Sequence, residues 1–133
     1  MASIVKEFPL RANPAEVWDA LKDFGALHTR LVPGFVANTE LEGDVRTVTF
    51  ANGAVAKEYL VSTDHASCRL VYGIAPNERI RHYSASAQVL ADGTGSRFVW
   101  MVDVLPGEIA TYISAQMDLG TAAMQKAFGS QVP

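Results

Sequence analysis

Apolar and polar residues alternate over 3–11, with Ile4, Lys6 and Phe8 on one side and Val5 and Glu7 on the other. A period of two is the signature of a half-buried strand, so the chain opens with one. Asn13-Pro14-Ala15-Glu16 then combines an N-cap residue, a proline at the first helical position and a glutamate that can reach back to the cap. The helix predicted there carries Val17, Trp18 and Leu21 inward and ends near Phe24-Gly25. A second short helical stretch over 26–31 stops before Pro33-Gly34.

From 35 to 105 the pattern becomes strands separated by turn signals at roughly ten-residue spacing, as in an antiparallel meander. The turns are Glu42-Gly43-Asp44, Asn52-Gly53, Asp64-His65-Ala66-Ser67, Ala75-Pro76-Asn77-Glu78 and Asp92-Gly93. They leave strands over 35–41, 45–51, 54–63, 68–75, 82–91 and 96–105. Asn52-Gly53 and Asp92-Gly93 predict two-residue hairpin turns with positive φ at both central residues. Pro106-Gly107-Glu108 opens the last element, where Ile109, Ile113, Met117, Gly120, Met124 and Phe128 recur every three or four residues. That spacing predicts one amphipathic helix over 108–128. Gly120 at its middle costs ~1 kcal/mol against alanine, so either another group approaches the backbone there or the helix bends.

Composition narrows the function classes. The 133 residues fit one domain, 1–133, and at 49% hydrophobic and 19% charged they read as globular. No apolar run approaches the ~18 residues of a membrane span, and residues 1–7 lack a secretory pattern, so a cytoplasmic location is expected. Cys68 is the only cysteine, which excludes an intrachain disulfide, and it reads as a buried small residue. With no clustered histidines beside it, no metal site is expected. The 11 basic against 14 acidic residues leave a net charge of −3 without any Lys/Arg block, so nucleic acid is not an expected partner. No phosphate-binding glycine loop is present, and no cofactor is called for.

The element order, one strand, two short helices, six strands and one long helix, is that of the α+β helix-grip fold. Particular residues resemble the START-like (SRPBCC) superfamily, which includes birch-pollen-type allergens and polyketide cyclase/dehydrase-like proteins. They are Pro14-Ala15-Glu16-Val17-Trp18, Val32-Pro33-Gly34, and Val45-Arg46-Thr47-Val48-Thr49-Phe50 before Asn52-Gly53. Lys57-Glu58-Tyr59-Leu60 to Asp64, Tyr72, and Asp92-Gly93 to Trp100 continue the series. Bacterial relatives often carry a tryptophan before the proline that ends the second short helix, where this chain reads Thr29-Arg30-Leu31-Val32-Pro33. The resemblance implies a seven-stranded curved antiparallel sheet wrapped around the C-terminal helix, with a cavity between them. It spans carriers, receptors, cyclases and condensing enzymes, so it does not by itself fix the chemistry.

Matching Glu58 and Tyr72 to cavity-facing positions of such proteins sets the parity of the sheet. Arg46, Val48 and Phe50, Glu58 and Leu60, and Leu70, Tyr72 and Ile74 then share the concave face. So do Tyr83, Ala85 and Ala87, and Phe98, Trp100 and Val102. The two alanines beside Tyr83 leave a void unless larger side chains fill it. Arg46 and Glu58 form either a buried pair with a task or a rim pair meeting only water. Tyr72 and Tyr83 either orient a ligand oxygen or pack in the wall. His28 stands at the expected mouth as an acid or base, or as an exposed helical histidine. Ile113, Met117 and Met124 form a tolerant apolar wall or plain helix core. His65 and His82, at strand ends, are expected in solvent, and Asp103 on the outer face.

Three functions remain open. The first is binding of a small hydrophobic molecule as a carrier or sensor. The second is a cyclase, dehydratase or condensing enzyme with Glu58 as base, Arg46 stabilising an enolate and a tyrosine placing the carbonyl. The third is a partner-binding domain using Val99 and Met101 on the outer sheet face, which would equally serve a homodimer.

Overall fold

A computed structural model describes residues 1–130. Seven strands form one antiparallel sheet: β1 (Ala2–Leu10), β2 (Val36–Glu42), β3 (Val45–Phe50), β4 (Val55–Asp64), β5 (Arg69–Ile74), β6 (His82–Asp92) and β7 (Gly95–Leu105). Their spatial order is β1-β7-β6-β5-β4-β3-β2, so β2 to β7 form a meander and β1 closes onto the last strand, with Ala2 opposite Val104 and Leu10 opposite Ser96. Helices α1 (Pro14–Lys22) and α2 (Ala110–Phe128) complete the helix-grip fold. No helix among the described residues is long and apolar enough to cross a membrane.

Asn13 caps α1 by accepting the Glu16 amide at 2.9 Å. Glu16 does answer the cap, but it accepts from the Asn13 side-chain amide at 3.2 Å. α1 lies against β6 and β7, and its Trp18 meets the His65 ring edge-on at 5.6 Å, so it fills one end of the concave face. The helix ends two residues earlier than expected. A 3-10 turn over Phe24–Ala26 and a π-helical turn over Leu27–Leu31 follow, the latter closed by the Val32 amide on the Leu27 carbonyl at 3.0 Å.

α2 starts after a 3-10 turn over Gly107–Ile109 and buries Ile113, Met117, Gly120 and Met124. Its register on the sheet is held by Lys6, which contacts Asp118 and Ser114, both at 2.9 Å. This explains a lysine on the inward side of β1. At the far end Arg11 and Ala12 donate to the Gly129 and Phe128 carbonyls at 2.8 and 3.0 Å. The close approach expected at Gly120 is by the Trp100 ring: a Cβ there would lie 3.0 Å from it.

Three local expectations are corrected. Only the glycines of the two hairpin pairs take positive φ, +91° at Gly53 and +60° at Gly93, whereas Asn52 and Asp92 do not. Phe50 and Ala54 enclose a three-residue loop that the Asn52 side chain closes onto the Ala54 amide. Asp92 pairs with Gly95 as the last residue of its strand. Cys68 is half-buried rather than buried, because it is a turn residue at φ 51°, just before β5 begins. Nor do Ala85 and Ala87 border a void. Their cross-strand neighbours are Tyr72 and Trp100, whose rings need the room that two methyl groups leave.

On the convex face, Met101 is 45% exposed beside Val5 at 53%, while Val99 is half-buried. Asp103 accepts a hydrogen bond from Ser3 on that face, and His65 and His82 are exposed.

Candidate functional site

Because α1 covers only one end of the sheet, the other end keeps an opening between β3 to β7, the π-helical turn and α2. It is a cavity of about 280 Å³. Phe50, Phe98 and Trp100 line it from the sheet and Ile113, Met117 and Met124 from α2. The three sheet residues have the parity the sequence assigns them, and the three on α2 lie on its predicted apolar stripe. The volume is just under the ~300–1,000 Å³ common for small-molecule sites. It is roughly twice the ~150 Å³ cavity that holds benzene elsewhere. Two fused rings, or a chain of similar bulk, would fit.

The polar centre lies on β3, β4 and β5. Arg46 and Glu58 are directly opposite across the β3–β4 pair, and both are buried, at 4% and 5% exposure. The rim alternative is thereby excluded. Nε of Arg46 donates to Oε1 of Glu58 at 2.8 Å, and one terminal guanidinium nitrogen lies 2.8 Å from the same oxygen in an ion pair. A third contact runs from Arg46 to the Phe24 carbonyl at 3.3 Å. The guanidinium sits 3.8 Å from the Phe24 ring centroid and 5.1 Å from that of Tyr72. Two aromatic faces, two hydrogen bonds and a close ion contact thus offset the desolvation of the cation. Glu58 lines the cavity, whereas Arg46 stands behind it and holds it in place.

Beyond Glu58, the Tyr72 hydroxyl accepts from the Trp100 indole at 3.2 Å, and the Tyr83 ring lies 6.3 Å from that of Tyr72. Burial, and after it the neighbouring charge of Glu58, pushes the Tyr72 hydroxyl far above the usual tyrosine range. Tyr83 is pushed the same way, first by burial and then by Tyr72 and Glu58. The sign follows directly. A phenol whose folded pKa is raised contributes fully below its unfolded value near 10, and that contribution is lost as pH climbs beyond it. Stability should therefore fall above pH ~10, with phenolate absorbance from these two rings emerging only as the fold is lost. Reversible ionisation of Tyr72 and Tyr83 in a still-folded protein near pH 10, followed at 295 nm, would contradict their burial.

Four sequence-predicted site residues fall outside the cavity wall. Arg46 is one, for the reason given. Leu70 pairs with Ala87, is 1% exposed and belongs to the hydrophobic core. Leu60 precedes a bulge in β4, where the register shifts between Leu60 and Ser62, and packs half-buried on the core margin. His28 leaves the wall because the π-helical turn directs Leu27 and Leu31 inward instead. It is half-buried, with Nδ1 enclosed and without a hydrogen-bond partner. In return the structure adds Leu27, Leu31, Phe35 and Tyr112, and the polar Asn77, Arg79 and Gln116. The i, i+4 spacing of Leu27 and Leu31 was a readable signal. The 75–81 loop offered none.

Residues 1–129 match the model of a family described as "Polyketide cyclase / dehydrase and lipid transport". The chain belongs to that family. Solved structures agree on the fold. XoxI from Bacillus cereus is 21% identical with a TM-score of 0.83, each chain covered to 96%. A solution structure from Thermobifida fusca is 25% identical with a TM-score of 0.77, covering 97% of this chain and 91% of the other. Norcoclaurine synthase from Thalictrum flavum, in complex with dopamine and hydroxybenzaldehyde, is 20% identical with a TM-score of 0.69, covering 96% and 84%. No curated protein matches the chain in sequence.

Proposed function

We propose that this family member binds a small, mainly apolar molecule in the cavity, with a neutral hydroxyl or N–H group of that molecule donating to Glu58. The observation that carries the reading is a 280 Å³ apolar enclosure with, among the described residues, a single carboxylate in its wall, whose charge Arg46 already balances. Because the pair is neutral overall, a second buried charge would find no counterion, whereas a neutral donor would find a strong acceptor. The test is fluorescence titration with 2-naphthol, whose two rings suit the volume and whose hydroxyl suits Glu58. Saturable binding is expected, weakened about 10- to 150-fold by Glu58→Gln, the range of one hydrogen bond to a charged group. No saturation up to millimolar 2-naphthol would remove the reading.

A second reading is enzymatic. The family description names cyclase and dehydrase activity, and Glu58 borders the cavity close to two tyrosines, as a base acting on a carbonyl compound would. Arg46, behind Glu58, would then be a positioning residue and not an oxyanion donor. Turnover lost in Glu58→Gln with binding retained would favour this reading.

A further inference from the structure

The cavity has a second polar region, at its mouth. Arg79 both lines the cavity and is exposed, and Tyr112 and Val55 beside the opening are exposed at 53% and 62%. The backbone that carries Arg79 is fixed. Asn77 Oδ1 accepts the amides of Arg79 and Ile80 at 2.8 and 2.9 Å, and the Asn77 amide donates to the Ile80 carbonyl at 2.8 Å. Such a side-chain-closed turn sets the direction of the residue within it.

Among the described residues lining the cavity Arg79 is the only cation, and its guanidinium enters no ion pair or side-chain hydrogen bond. Arg30, Arg46 and Arg97 are all paired with carboxylates. An unpaired planar cation at the edge of an apolar chamber can take a carboxylate in a forked contact without removing it fully from water. The inner end disfavours the same group, since a ligand carboxylate there would face Glu58. The two ends together impose an orientation.

We propose that the mouth is an anion subsite, where Arg79 pairs with a carboxylate of the bound molecule. This rests on the cavity reading above and narrows the ligand class to a small hydrophobic acid with a hydroxyl or N–H at its buried end. The net charge of −3 gives the protein no general attraction for anions, so any preference for the acid must be local.

The experiment compares 6-hydroxy-2-naphthoate with 2-naphthol, by fluorescence titration, on the wild type and on Arg79→Gln. The wild type should bind the acid about tenfold tighter at low ionic strength, a modest factor because the contact is solvent-exposed. That preference should shrink as salt screens the pair. In Arg79→Gln the ratio of the two affinities should fall to about one. Equal affinities in the wild type, or a preference surviving in Arg79→Gln, would overturn the anion subsite while leaving the cavity reading intact. If neither compound binds, the cavity reading fails and the subsite with it.

Discussion

Replacing Arg46 by methionine should cost about 3–5 kcal/mol of folding stability, the range for removing one partner of a buried ion pair. Three things are lost together: both contacts with Glu58 Oε1, the contact with the Phe24 carbonyl, and the cation between the Phe24 and Tyr72 rings. What makes the change severe is the carboxylate left behind, buried at 5% exposure without a counterion. The double variant Arg46→Met, Glu58→Gln should be more stable than Arg46→Met alone, because it removes the orphaned charge. Chemical denaturation of the wild type, Arg46→Met, Glu58→Gln and the double variant measures the cycle. A single-variant loss below about 1 kcal/mol would show the pair to be a bystander.

Phe98→Ala is the second large effect, about 3–5 kcal/mol, as for other truncations of buried phenylalanine. Phe98 is 1% exposed, and its ring stacks on that of Phe8 at 5.4 Å and an interplanar angle of 21°. Since Phe98 also borders the cavity, its removal joins new empty volume to space already there, and little can collapse into it. An apolar compound that enters should return part of the stability through binding to the folded state alone. Thermal unfolding with and without 2-naphthol reads both terms. A melting temperature within about 2 °C of wild type would mean that the ring contributes little.

Strand parity was the legible part of the site. Period-two alternation, once anchored at Glu58 and Tyr72 by resemblance, put Arg46, Phe50, Phe98 and Trp100 on the side where they are found. Parity assigns a face, however, and says nothing of depth along it. Leu70 has the correct face and lies in the core, and Leu60 has it and sits beside a bulge that no composition cue marks. Whether Arg46 and Glu58 were buried was open for the same reason. It was decided by what covers them, the Phe24 turn, which is distant in sequence.

The short helical stretch expected between α1 and β2 is present, but its geometry departs from the α-helical period. A 3-10 turn followed by a π turn changes which side chains share a side, so Leu27 and Leu31 line the wall and His28 does not. Arg79 was invisible for a different reason. Irregular loops carry no periodicity, and the Asx turn that aims it is recognised by its hydrogen bonds.

The pairing of β1 with β7 has a consequence for how the chain is made. At ~5–20 residues per second of synthesis, the partner of the first strand arrives on the order of 5–20 s after it. Contacts this remote in sequence also slow the search for the native state, because loop closure precedes the gain from pairing. Throughout that interval Phe8 and Leu10, at 5% and 0% exposure in the finished molecule, face water. The residues between and beside them are then the protection: Lys6 and Glu7 bring charge and Pro9 removes a ladder donor, so the waiting strand is a poor template for another copy of itself.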